Sequence, residues 1–87
     1  MGAFNDDDVE VRRYAAAALG ELEDSQSVDG LIGAMDDEDP NVRQYAAHAL
    51  GEIGDPRAID RLQAALSDED KDVRVAAAGA IQEILNR

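Results

Sequence analysis

Residues 42–55 read VRQYAAHALGEIGD, and the same phrase occurs twice more, as VRRYAAAALGELED from Val11 and VRVAAAGAIQEILN from Val73. The starts are 31 residues apart both times, and a fixed period of that size marks a chain built of stacked units. The intervening stretches repeat as well. SVDGLIGAMDDED from Ser27 aligns with AIDRLQAALSDED from Ala58, and Gly2-Ala3-Phe4 falls in register with Gly33-Ala34-Met35 and Ala64-Ala65-Leu66. One unit is therefore a short segment followed by a Val-Arg segment.

Both segment types carry the helical period. Val42, Ala46, Ala49, Leu50 and Ile53 fall at i, i+4, i+7, i+8 and i+11, one continuous apolar stripe. The stripe recurs as Val11, Ala15, Ala18, Leu19 and Leu22, and as Val73, Ala77, Ala80, Ile81 and Ile84. The linking segments supply Val28, Leu31, Ile32 and Met35, then Ile59, Leu62 and Leu66. No strand-like alternation interrupts them, and the alanine content favours helix. Asp39-Pro40 and Asp55-Pro56 each set an N-cap acid before a proline suited to the first helical position, and Gly54 suits a helix stop. The pattern predicts five helices, at 9–22, 26–36, 40–53, 56–67 and 71–86. The fold class is all-α, an α-α superhelix (solenoid) of helical hairpins, with a half repeat over 1–22 and repeats over 24–53 and 55–86.

Composition narrows the function. The chain has 87 residues, enough for one small domain. It lacks cysteine, which removes disulfides, thiolate metal sites and cysteine nucleophiles together. Its 20 acidic and 8 basic residues give a net charge of −12, and only one of the bases is lysine. Nucleic acid is excluded as a partner, because polyanions are bound through clustered Lys and Arg. No apolar run reaches the roughly 18 residues that span a bilayer, and the N-terminus does not resemble a signal peptide. The expected location is the cytoplasm, with no membrane partner.

The Val-Arg phrase and the Asp-x-x-x-x-x-Arg spacing ahead of it resemble the HEAT-like repeat of the phycobilisome (PBS) lyase type. The resemblance covers nearly the whole chain. It implies that the first helix of each hairpin lies on the convex side and the Val-Arg helix on the concave side. It also implies that Asp6, Asp37 and Asp68, in the turns, and Arg12, Arg43 and Arg74, in the helices, form a ladder of ion pairs between adjacent repeats. A guanidinium fork matches a carboxylate, and such a network fixes register more than it adds net stability. The acid-rich, lysine-poor surface is similar to that of proteins from salt-loving archaea, so folding is expected to depend on salt.

Tyr14 and Tyr45 are one repeat apart, with Ala76 third in the row, and lie off the apolar stripe. Tyrosine anchors interfaces well, because its large ring costs little ordering entropy and its hydroxyl tolerates water. Around the row the expected concave face carries Glu10, Arg13, Ala17, Glu21, Asn41, Gln44, His48, Glu52, Asp72, Val75, Gly79 and Glu83. Its edges are acidic, which suits a protein or peptide partner carrying basic groups and an apolar anchor.

No catalytic set emerges. His48 is the only histidine, and it has Glu52 at i+4 but no facing nucleophile. HEAT-like metalloenzymes use His-Glu dipeptides, whereas His48 is followed by Ala49. The acidic runs at 6–8, 36–39 and 68–70 lack the central glycine and terminal glutamate of a calcium loop, and read as acids complementing helix N-termini. The expected protein is a non-catalytic scaffold or interaction module with no cofactor and no metal. A bilin-lyase-type subunit and a structural spacer are the alternatives. Open repeat ends also leave room for self-association.

Overall fold

The computed structural model describes the backbone of residues 8–22 and 27–87, and the side chains of 8–18 and 27–87. Five α-helices follow one another: α1 (Val9–Leu22), α2 (Val28–Ala34), α3 (Pro40–Ile53), α4 (Ile59–Ala65) and α5 (Lys71–Leu85). A one-turn 3-10 helix, Pro56–Ala58, leads into α4. No strand occurs among the described residues. Helices α1, α3 and α5 form one layer, with α3 packed between the other two, while α2 lies against α3 and α4 against α5.

The boundaries have local causes. Asp39 caps α3 by accepting from the N–H groups of Asn41 (2.8 Å) and Val42 (3.2 Å). Asp70 repeats this on α5 with Asp72 (2.8 Å) and Val73 (3.1 Å). Asp8 accepts from Glu10 N–H at 2.9 Å. Each carboxylate satisfies amides that have no partner within the helix. Gly54 ends α3 at φ 77°, a left-handed conformation that costs glycine nothing, with its N–H on the Leu50 carbonyl at 3.0 Å. Helices α2 and α4 are shorter than the spacing predicts. Their last turns tighten to i→i+3 bonds, Asp36 to Gly33 and Ser67 to Ala64 among them, and Pro56 opens the 3-10 turn ahead of α4.

The core joins both layers. Val28 and Leu31 from α2 with Met35 just after it, Val42, Ala46, Ala49 and Leu50 from α3, Ala58 and Leu62 from the second linking segment, and Val73, Ala77, Ala80 and Ile84 from α5 are all buried. Three expected core residues, Val11, Ala18 and Leu66, are exposed instead. Val11 is 38% exposed although its counterparts Val42 and Val73 are fully buried. Leu66 is 43% exposed although Met35, its counterpart, is 1% exposed. Leu66 lies in the last described unit, where no further linking segment covers it, and Val11 and Ala18 lie on α1, ahead of which no linking helix is described, whereas α4 packs on α5. Repeat proteins bury a unit's apolar face only through its neighbours.

A second buried stripe, absent from the apolar pattern, runs along α3 through Arg43, Ala47 and Gly51. On α1 its counterparts Arg12 and Ala16 are buried too. These are the residues on which the next Val-Arg helix stacks, and their small side chains let the backbones approach closely.

Candidate interaction face

The arginine ladder sets the register of the three long helices. Arg12 donates to Asp37 through Nε (2.7 Å) and Nη2 (3.3 Å), and Arg43 donates to Asp68 through Nε (2.9 Å) and Nη2 (3.1 Å). The carboxylate on each arginine thus belongs to the residue 25 positions later, in the following repeat. The aspartate six positions earlier contributes its backbone instead. Arg43 Nη1 donates to the Asp37 carbonyl and Arg74 Nη1 to the Asp68 carbonyl, both at 2.7 Å. Asp37 and Asp68 also accept from the N–H groups of Asp39 (2.9 Å) and Asp70 (2.8 Å), which folds each turn around its own acid. Asp6 lies outside the described residues.

These partners govern ionisation. Burial pushes the Asp68 carboxyl up, but the Asp70 amide and the Arg43 guanidinium outweigh it and hold it below its ordinary value. At Asp39 burial likewise pushes up, while Arg13 and the amides of Val42 and Asn41 bring the carboxyl below its ordinary value. The hydrogen bond that Arg12 donates to Asp37 leads the effects that raise its guanidinium above the ordinary value, and it prevails over burial. The carboxylates of Asp37 and Asp68 are thus occupied by the fold itself.

The face that remains open is the side of α1, α3 and α5 turned away from the core. Along α3, Asn41, Tyr45, His48 and Glu52 are exposed, at i, i+4, i+7 and i+11, with Gln44 half-buried beside them. Along α5, Asp72, Val75, Gly79 and Glu83 are exposed. Along α1, Glu10, Tyr14 and Ala17 are exposed and Arg13 is half-buried, while the Glu21 side chain lies outside the described residues. Ala76 departs from expectation. It occupies the third tyrosine position but is 4% exposed, because a methyl is too short to reach out of the α3–α5 joint. The tyrosine row therefore ends at α3.

Tyr14 is 75% exposed and Tyr45 is 42% exposed. Together with Glu10, Arg13 and Ala17 they line a cavity of about 290 Å³ between α1 and α3. Arg13 Nη2 reaches Asp39 at 3.2 Å and Nη1 lies 3.7 Å from Glu10. Its Nε is buried and donates to nothing among the described residues. Sequence spacing placed both tyrosines. It did not single out Arg13, whose distinction is the carboxylate that α3 brings to it from 26 residues away.

A second depression, of about 490 Å³, is lined by Asp36, Asp37, Glu38, Asp68 and Glu69 with Arg43 and Arg61. Arg43 is engaged in the ladder, and Arg61 pairs with Asp36 and donates to the Met35 carbonyl at 3.2 Å. No group of three or more potential metal ligands occurs among the described residues. No helix among them is long and apolar enough to cross a membrane.

The comparisons agree with this architecture. Human deoxyhypusine hydroxylase, solved in complex with glycerol, is similar with a TM-score of 0.90 and 28% identity over 98% of this chain. The chain spans 30% of the length of that protein. No curated protein matches. The family model for HEAT repeats matches residues 2–82. A 31-residue helical unit, a ladder of arginines reaching into the next turn and a family match across nearly the whole chain agree, and the chain belongs to the HEAT-repeat family.

Proposed function

We propose that the chain is a non-catalytic protein-interaction module that holds a basic peptide or helix along the open face of α1, α3 and α5. The fold commonly mediates protein interaction. The observation that carries the reading is the cavity between α1 and α3, lined by two exposed tyrosines one repeat apart together with Arg13, which Asp39 holds in place. Such a cavity accepts an apolar side chain beside the rings. Glu10, Glu52, Asp72 and Glu83 line the rest of the face and favour a partner with Lys or Arg flanking the anchor. The only histidine, His48, is exposed and followed by Ala49, so the reading does not extend to hydroxylase chemistry. Within the family, the 31-residue Val-Arg unit supports the phycobilisome-lyase-like subtype, and the lysine-poor acidic surface supports a high-salt setting.

Selection from a displayed random-peptide library tests the proposal, with the wild type and a Tyr14→Ala/Tyr45→Ala variant as baits. Peptides that pair an apolar or aromatic residue with flanking Lys or Arg are expected on the wild type. The double variant should bind them more weakly by about 2–4 kcal/mol if both rings are hot spots. Both side chains are exposed, so its far-UV circular dichroism should be unchanged. Equal binding by the folded variant would overturn the reading.

A further inference from the structure

Gly51 lies buried where α3 meets α5. A Cβ at that position would stand 2.9 Å from the Ala80 Cα and 3.0 Å from the Ala80 Cβ, inside van der Waals contact with atoms that no rotamer change can move. The helices thus touch at this depth only because the residue is glycine. The repeat places glycine at 20 and again at 51, but glutamine at 82. On α5 the counterparts of the stacking stripe Arg43, Ala47 and Gly51 are Arg74, Ala78 and Gln82, and all three are exposed. Two of the three are the stacking residues unchanged, so the outer face of α5 differs from a working interface at one position along this stripe.

We propose that Gln82 is a stop residue, which closes the outer face of α5 to a further Val-Arg helix, whether from an added repeat or from α1 of a second copy. A helix seated on α5 as α5 is seated on α3 would bring its backbone within about 3 Å of the Gln82 Cβ, and it would bury the amide behind that Cβ. A polar residue on an outer repeat face opposes the stacking of a further unit. The inference stands independently of the peptide-binding reading, since it concerns the edge of α5 and not its open face.

The test is a chain in which residues 54–87 are joined after Ile84, adding one unit with the Gly54 turn restored. It is made in three forms, with the internal Gln82 kept, with Gln82→Ala and with Gln82→Gly, and each is melted beside the 87-residue parent carrying the same residue. Glycine is the poorest helix former of the three, so intrinsic propensity favours alanine and glutamine. The stop-residue reading expects the opposite order. The extended Gln82→Gly chain gains in melting temperature over its parent, and the chains with Gln82 or Gln82→Ala gain less, since both carry the obstructing Cβ. A gain in either of those two equal to or larger than that for Gln82→Gly overturns the proposal. So does the absence of a gain in all three.

Discussion

Replacing Gly51 by alanine isolates the close contact between α3 and α5, and Gly79→Ala supplies its control. Both residues lie within long helices, so both changes gain about 1 kcal/mol of helix propensity in the folded state. At Gly79 nothing lies within 4 Å of the new Cβ, and that gain is expected in full. At Gly51 the Cβ falls 2.9 Å from the Ala80 Cα, where carbon atoms rest at about 3.5–4.0 Å, a shortfall of about 0.6–1.1 Å. The Glu83 carboxylate, 2.7 Å away, can swing aside, but the Ala80 backbone yields only if α5 moves as a body. Overpacking of this kind costs about 1–3 kcal/mol, which cancels or exceeds the propensity gain. The two variants should therefore differ by about 1–3 kcal/mol, with Gly79→Ala above the wild type. For a domain of this size each kcal/mol moves the melting temperature by about 4–8 °C. Thermal melts followed by far-UV circular dichroism, with urea titrations to check the order, read the difference directly. Gly51→Ala melting at or above Gly79→Ala would refute the close-approach argument and the stop-residue inference with it.

The ladder predicts that Arg43→Met destabilises by about 1–3 kcal/mol, read as a lower urea midpoint, because Asp68 loses both charged hydrogen bonds while remaining largely shielded. Asp70→Ala removes the α5 cap and should cost about 1 kcal/mol by the same measurement. Asp39 and Asp68 have folded-state carboxyls below their ordinary values. Their contribution is therefore complete above the ordinary carboxylate range of about 4 and is lost as pH falls through the lower folded values. A urea midpoint that falls less steeply below that range in Asp68→Asn than in the wild type confirms the sign, and identical slopes contradict it. Finally, a net charge of −12 should make the melting temperature rise between dilute buffer and molar KCl, as screening relieves self-repulsion, and a flat response would count against a salt-adapted surface.

The helices, their caps and most of the core were legible because each rests on local chemistry. Asp39 before Pro40, Gly54 after Ile53 and the Val42–Ala46–Ala49–Leu50 stripe state their roles within one or two turns. The lengths of α2 and α4 were less legible, since an apolar stripe says which face is buried and not where the last turn tightens. Leu66 and Val11 match the pattern of Met35 and Val42 yet stay exposed, because burial in a stack is a property of the neighbouring unit. Ala76 erred in the other direction, matching Tyr14 and Tyr45 in position but lacking the reach to leave the joint.

By itself the sequence determined the all-α solenoid, its 31-residue unit and the tyrosine pair, since periodicity and repetition are written in residue order. Only the tertiary structure decided which carboxylate each arginine takes. The spacing of six puts Asp37 near Arg43, but folding turns that carboxylate towards Arg12 of the preceding unit and leaves its carbonyl for Arg43. Tertiary structure also gave the glycine at 51 its meaning. A glycine within a helix reads as a weakness until the backbone of the next helix is found resting against it. Local order fixes what each unit is. The distance at which units meet depends on atoms about thirty residues apart, and that distance decides which faces close and which remain open.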